Sequence, residues 1–569
     1  MTVPISRRYE PGTLIIETTW AAPTGWLVVR DALTMGLWQE GPGAGKPTGL
    51  ESDFCLVRTA TCIDGTVDVR LECVPAFGYA TVEAEWAGGV LGGAAIEADG
   101  VGIELTSDFD LALNGPHLGG TVALREDETC FAALTWSSEF GGPRSAPEAE
   151  ERIEATREFW RSWLRSGRFP DHPWRVHLQH SAVVLKGLSH APTGAFVAAP
   201  TTSLPETPGG ERNWDYRYCW IRDATFTLWA LHTLGFEDEA RRFMAFIADI
   251  CTQNPELQIM YGVGGEKDLT ERTLDHLSGY EGSRPVRVGN AAFVQRQNDV
   301  WGALLDSIYL HAKALQEPSP QVWELIEFQV ESAIAAWAVP DQGIWEARGE
   351  PRHYVSSKLM MWVAVDRGAR LARNLGYPDL AERWLGLAAE FHAEILEQGV
   401  RDGVFRQHYD TDALDASLLL MPLLRFLRPD DPRIRDTVLA IERDLTRNGL
   451  VLRYRVHETD DGLHGEEGTF TICSFWLVSA LSEIGEHERA RALCERLLGS
   501  AGALDLYAEE IDAVSGRHLG NYPQAFTHLA LINAVSHVIA DEERAGRNED
   551  GAFTAVFSEM RGVKAGPQS

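Results

Sequence analysis

The sequence predicts two domains: an N-terminal antiparallel β-sandwich, then an (α/α)6 barrel of six helical hairpins. Three observations carry this. Val, Ile and Thr crowd into short runs up to about Trp136, punctuated by Gly and Asp. The composition breaks at residues 141 to 152, GGPRSAPEAEER. Beyond Pro173 twelve helical segments follow one another with no strand-rich stretch between them. At 569 residues the chain exceeds the usual size of one domain, and 44% hydrophobic with 24% charged residues is ordinary globular composition.

The strands are expected in TLIIETTW, GWLVVRDAL, CLVRTATCI, TVDVRLECV, TVEAEWA, GIELTSD, TVALRED and CFAALTW, with turns at Asp64-Gly65 and Asp99-Gly100. These runs define a sandwich over residues 1–140. Helical spacing resumes with Ile153, Phe159, Trp160 and Trp163, so residues 141–172 form a linker whose helix has an apolar side available to the next domain.

The helical segments are 173–190, 223–235, 238–252, 297–316, 319–337, 356–375, 378–398, 413–428, 432–448, 469–484, 486–499 and 522–541. The even-numbered ones are apolar almost all round, as in Leu418-Leu419-Leu420-Met421 and Phe475-Trp476-Leu477-Val478. The odd ones carry charge on one side, as in EHERARALCERLL. An all-round apolar helix is buried and an amphipathic one faces water. Strict alternation over six pairs asks for an inner ring within an outer ring, here over residues 173–545, with 546–569 as a C-terminal tail. An open solenoid is the alternative, but no residue signature repeats at the hairpin period.

In such a barrel every connection entering an inner helix opens at the same end. Those connections are WIRD (220–223), QRQND (295–299), GIWEARG (343–349), DTDALDAS (410–417), GEEGTF (465–470) and AEEIDAVSG (508–516), and all are acidic or carry Arg. The densest is NWDYRYCWIRDATFTLWAL, residues 213–231, where Asp215, Arg217, Arg222 and Asp223 sit among Trp214, Tyr216, Tyr218 and Trp220. Such a stretch suits either a half-dry pocket for a polar ligand or a buried Arg/Asp lattice. A mouth of carboxylates, arginines and tryptophans fits a neutral, hydroxyl-rich ligand, which is a sugar. Cleaving a glycosidic bond needs one carboxylic acid for the leaving oxygen and a second carboxylate.

WIRDATFTLWAL, DLTERTLDHLSGYEGSRPVRVGNAAFVQRQND, GIWEARGE and AEEIDAVSGRHLGNYPQAFTHLAL resemble the bacterial branch of glycoside hydrolase family 15, which holds glucoamylases, α-glucosidases and α,α-trehalases. The resemblance spans nearly the whole chain and implies the same sandwich-plus-barrel fold. It implies inverting, exo-acting hydrolysis of an α-glucosidic bond, with α,α-trehalose as the preferred substrate and maltooligosaccharides or related α-glucans as the alternative. Residue by residue, it implies Glu346 as general acid and Glu509 as general base, with Arg222 and Asp223 holding the terminal glucose. Trp345 and Trp220 would be sugar platforms, and Arg348, Arg287 and Asp415 would reach the substrate in roles the resemblance leaves open. It also implies a further strand-rich segment with an Asp-Gly-Ser-Ile-Asp-Trp-like run, so the sandwich is expected to be N-terminally shortened or its start to lie upstream.

Other readings compete at particular residues. Glu466 and Glu467 rival Glu509 as base, though acidic residues before an inner helix also favour its dipole. Motif identity favours Glu509. A catalytically silent sugar-binding protein would have lost a catalytic glutamate, and both Glu346 and Glu509 are present. No metal or cofactor is expected: the 17 histidines show no ligand pairing, the eight cysteines no CxxC, and GVGG (262–265) lacks the rest of a phosphate loop. A net charge of −32 repels phosphate backbones and anionic lipid, so neither nucleic acid nor membrane is an expected partner. The expected partner is a small carbohydrate substrate, with room for a homo-oligomer. The opening MTVPISRRYEPGTLI lacks the features of a secretory signal and no apolar run reaches the roughly 18 residues of a membrane span, so a cytoplasmic location is expected.

Overall fold

A computed structural model describes residues 4–35, 52–87, 93–98, 100–136, 141–253, 256–311, 320–459, 461–463 and 467–546. The chain divides into two compact units, Met1–Gly167 and Arg168–Ser569.

The first unit is an antiparallel sheet region. Its strands are β1 (Ser6–Tyr9), β2 (Ile16–Ala22), β3 (Gly25–Met35), β4 (Ser52–Cys73), β5 (Trp86–Ala87), β6 (Gly93–Ala98), β7 (Val101–Ser107), β8 (Ala112–Asn114), β9 (His117–Arg125) and β10 (Thr129–Thr135). They lie in the order β1-β2-β3-β4-β10-β7-β6-β5, and β9 pairs with β4 and β8. The turn expected at Asp64-Gly65 is absent. CLVRTATCI and TVDVRLECV run on as the single strand β4, whose first part pairs with β10 and whose second pairs with β9. At the junction the register against β3 slips between Trp26 opposite Asp64 and Leu27 opposite Cys62. The extra residue, Ile63, makes a bulge, which lets one strand bend without ending. Gly65 has φ +73°, and a Cβ there would lie 2.2 Å from the Thr24 carbonyl oxygen, so its glycine signal reflects close approach rather than a hairpin tip. Ala98 pairs with Val101 across the other expected turn, of which Asp99 lies outside the described residues.

Helix α1 (Ala146–Ser166) starts at Ser145, whose side chain accepts from the Glu148 amide. Its buried residues include Ala149, Ile153, Thr156, Trp160 and Trp163, a stripe at steps of three and four. That stripe packs on the sheet of its own unit, where Ala149 and Ile153 join Ile15, Ala32, Val57 and Phe131 in one apolar cluster.

The second unit is helical: α2 (Arg175–Gly187), α3 (Ile221–Thr233), α4 (Glu237–Gln253), α5 (Val300–His311), α6 (Pro320–Ala335), α7 (Val355–Asn374), α8 (Pro378–Gln398), α9 (Leu420–Leu423), α10 (Pro432–Leu445), α11 (Thr471–Glu483), α12 (His487–Leu498) and α13 (Ala525–Gly546). In α11 every residue from Thr471 to Ser482 is buried, whereas α12 buries only Ala490, Cys494, Leu497 and Leu498. The apolar helices meet in sequence: α3 contacts α5, α5 contacts α7, α11 contacts α13, and α13 returns to α3. Between α7 and α11 stands the 3-10 turn Ala416–Leu419 with α9. The helix expected over 413–428 is this short because Pro422 has no N–H to offer and Arg425 turns left-handed at φ +61°. The amphipathic helices lie against the apolar ones, α4 on α3, α8 on α7 and α12 on α11 and α13.

No described helix is long and apolar enough to cross a membrane. All eight cysteines are free thiols.

Candidate active site

Short strand pairs pin the connections that enter the apolar helices. Cys219–Trp220 pairs with Met260–Tyr261 ahead of α3, and Thr469–Phe470 with Glu510–Ile511 ahead of α11. A pocket opens over these connections, lined among others by Arg212, Trp214, Tyr216, Trp220, Arg222 and Asp223 from the first. Trp345, Glu346 and Arg348 come from the connection into α7, Arg453, Tyr454 and Asp461 from the chain ahead of α11, and Phe526 from α13.

Asp215 bridges to Thr202 and Cys219–Trp220 form a short strand, and along this stretch Trp214, Tyr216, Tyr218 and Trp220 alternate with Asp215, Arg217 and Cys219. Two of these aromatics hold the two expected catalytic carboxyls. The Trp220 indole N–H donates to Glu346 Oε1 at 2.6 Å, and the Tyr216 hydroxyl donates to Glu509 Oε1 at 2.6 Å. The Tyr216 and Trp220 rings meet edge-on at 5.4 Å, so one short strip supports both carboxyls.

The carboxyls differ in environment. Glu346 is half-buried on the pocket wall, and its backbone is left-handed at φ +59°, an uncommon state for a residue with a Cβ. Glu509 is fully buried. Burial first, then the Glu206 carboxylate, push its carboxyl above the ordinary range, while Tyr216 and Arg453 pull it back. Gly520 at φ +75° lies against it, where a Cβ would come within 2.6 Å of Glu509 Oε2.

Arg222 Nη1 donates to Asp299 Oδ2 and Gln297 Oε1, each at 3.0 Å, and its Nη2 stands 3.6 Å from Glu346 Oε1. Burial opposes its charge, but Asp299, Asp223 and Glu346 hold the guanidinium firmly protonated. Arg222 Nε and Asp223 Oδ2 face each other at 3.5 Å, and neither atom has a hydrogen-bond partner among the described residues. Burial, opposed by Arg222 and reinforced by Glu346, lifts Asp223 to about 7. Arg222 Nε and Asp223 Oδ2 are both shielded from solvent, the donor of one turned to the acceptor of the other within the ion pair.

The remaining expected residues are placed less directly. Trp345 lines the pocket with its N–H donated to Asp415 Oδ1 at 2.9 Å. Asp415 itself is buried, also accepts from Gln407 and Ser417, and steadies Trp345 from behind. Arg287 donates to the carbonyls of Glu211 and Asn213 and lies 4.6 Å from the Trp214 ring, so it holds the loop instead of lining the pocket. Arg348 does line the pocket, over Trp214 at 4.3 Å and 3.2 Å from Glu271 Oε2. Asp215 pairs with Arg217 at 2.7 Å and accepts from the Gly289 amide, which is the lattice reading of that stretch.

Glu467, the rival base, is engaged by Arg212 at 2.7 Å and by Arg453 at 2.8 Å. Both of its oxygens are taken up in this lattice, Oε1 by Arg212 and Oε2 by Arg453 Nε at 3.0 Å. Glu466 lies outside the described residues. Arg212, Arg453, Tyr454 and Asp461 went unnoticed in sequence because their partners are distant, as with Arg212 to Asp461 at 2.9 Å. Tyr216 could have been found from the period-two aromatic run. Among the described residues no group of three or more His, Cys, Asp or Glu is placed to hold a metal ion.

A carboxyl on the pocket wall held by Trp220, a second, buried carboxyl held by Tyr216 and a guanidinium–carboxyl pair at Arg222 and Asp223 are the kinds of group that glycosidic hydrolysis calls for. The sequence profile of the glycosyl hydrolases family 15 matches residues 174–536, and the chain belongs to that family. It is 55% identical to a protein of Mycobacterium tuberculosis named trehalase, over 98% of this chain and 84% of that one. A trehalase of Thermoplasma volcanium is 35% identical over 82% of this chain and 74% of its own length. Among solved structures, a bacterial glucoamylase complexed with acarbose superposes with a TM-score of 0.71 at 11% identity, covering 95% of this chain and 86% of that one.

Proposed function

We propose that this chain is an inverting, exo-acting α-glucosidase whose preferred substrate is α,α-trehalose, hydrolysed to glucose. The observation that carries the reaction type is the pair of carboxyls held by Trp220 and Tyr216. The substrate rests on the likeness to proteins named trehalase.

Glu346 is the general acid. It delivers its proton to the leaving oxygen as the bond from the anomeric carbon to that oxygen breaks. Glu509 is the general base: it takes a proton from water while the water oxygen bonds to the anomeric carbon from the opposite face. Inversion needs about 6.5–9.5 Å between the carboxyls to seat that water. Arg222 and Asp223 take hydroxyls of the terminal glucose, Trp220 and Trp345 cover its apolar faces, and Arg348 receives the leaving sugar. Arg287 and Asp415 act behind the pocket through Trp214 and Trp345.

The scaffold under this reading is an (α/α)6 barrel over 173–545, preceded in sequence by a β-sandwich of 1–140 and by the 141–172 stretch, whose helix α1 packs on the sheet of the first unit. The closed sequence of contacts among α3, α5, α7, the turn Ala416–Leu419 with α9, α11 and α13 supports it. A cytoplasmic location is supported by the free thiols.

Glucose release from trehalose, maltose, isomaltose and soluble starch, assayed in parallel, tests the proposal. Trehalose should be turned over fastest, and Glu346→Gln should lower kcat on it by about 10²–10⁴-fold. Faster release from maltose or starch would move the assignment to the glucoamylase reading.

A further inference from the structure

Gln295 and Gln297, in the connection into α5, do not line the pocket, yet they tie two of its parts together. Arg222 Nη1 donates to Gln297 Oε1 at 3.0 Å. Gln297 Nε2 donates to Gln295 Oε1 at 3.1 Å, and Gln295 Nε2 donates to the carbonyls of Glu346 and Ala347 at 3.2 and 3.3 Å. Both ends fix the direction. A guanidinium only donates, so Gln297 must turn its oxygen to Arg222 and its NH2 to Gln295; backbone carbonyls only accept, so Gln295 must turn its NH2 to them. Flipping either amide would set donor against donor or acceptor against acceptor. Gln297 is buried at 3% exposure, where such a mismatch is costly. A chain of aligned donors strengthens each link.

The far end of the chain is the left-handed turn at Glu346, φ +59°. That turn is also closed by Glu346 N donating to Gly343 O and Ala347 N to Gln342 O, at 3.2 and 3.1 Å. We propose that Gln295 is a positioning residue for the acid: with Gln297 it links the guanidinium that takes the substrate's hydroxyls to the backbone turn that aims the Glu346 carboxyl. This rests on the assignment of Glu346 as general acid.

Gln295→Met keeps the length of the side chain and removes its donor and acceptor. Its effect is read on two substrates, trehalose and α-glucosyl fluoride. With the fluoride the C1–F bond breaks with its electron pair going to fluoride, which needs no proton from the acid. The expected result is kcat on trehalose about 10–100-fold lower with KM within about threefold, and kcat on the fluoride within about threefold of the parent. Gln297→Met should show the same selectivity in weaker form, and the double variant should be no slower than Gln295→Met because the residues act in one chain. Equal losses on both substrates, or unchanged turnover of trehalose, would overturn the proposal. If Gln295→Met does not fold, the same two-substrate ratio in Gln297→Met decides. Failure of the underlying assignment is distinguishable: Glu346→Gln would then leave trehalose turnover intact.

Discussion

Tyr216 and Trp220 stand four residues apart in the connection before α3, and through them Glu509 and Glu346 are held. Glu509 must be ionised to act as base, and its carboxyl is raised by burial and by Glu206. Activity is therefore lost as pH falls through that raised value, and the acidic limb of kcat/KM should lie clearly above the ordinary carboxyl value of 4.5. Tyr216→Phe removes a hydrogen bond that favours the ionised form, so it should move that limb further upward and lower kcat about tenfold or more. A pH–rate profile of the two proteins checks this; an unmoved limb would separate Tyr216 from the base. At this scale the sequence was legible where a motif has local spacing: Trp220, Arg222, Asp223, Trp345, Glu346 and Arg348 all line the pocket. It was opaque where a side chain's partner is remote. Nothing near Asp415 says that it serves Trp345, 70 residues away, and nothing near Arg287 says that its guanidinium closes on the Glu211 and Asn213 carbonyls.

Among elements, the apolar and amphipathic helices were readable from periodicity alone, because burial on all sides and burial on one stripe leave different patterns. The misreadings have local physical causes. Asp64-Gly65 marks a bulge in β4, and glycine at positive φ serves bulges as well as turns. The strand Gly93–Ala98 escaped notice because GAAIEA is poor in β-branched residues, yet it pairs along its whole length with β7. The connection before α11 brings Glu467 and Arg453 to Arg212, from the connection before α3, in one lattice with all three side chains buried. Glu467→Ala leaves two buried guanidinia short of a partner and should destabilise the protein by about 3–5 kcal/mol. Glu509→Gln should abolish turnover with far less loss of stability. Denaturant unfolding of both variants tests the division of labour, and a stable but inactive Glu467→Ala would instead make Glu467 the base.

For the whole molecule, the family assignment and the helical domain follow from features spread along hundreds of residues, which is why both were readable without coordinates. What spacing could not supply is the direction of side chains into one pocket and the pairing of each acid with its own aromatic. The central claim is inversion at one anomeric carbon of α,α-trehalose by Glu346 and Glu509. Water attacks one carbon from the opposite face, while the other sugar keeps its own carbon–oxygen bond and leaves with its configuration intact. Proton NMR of the first products, recorded before mutarotation, tests this most directly, with hydrolysis run in ¹⁸O-labelled water. Inversion gives equal amounts of α- and β-glucose with the label in the β-anomer alone; α-glucose as the sole initial product would mean retention and remove Glu509 as base.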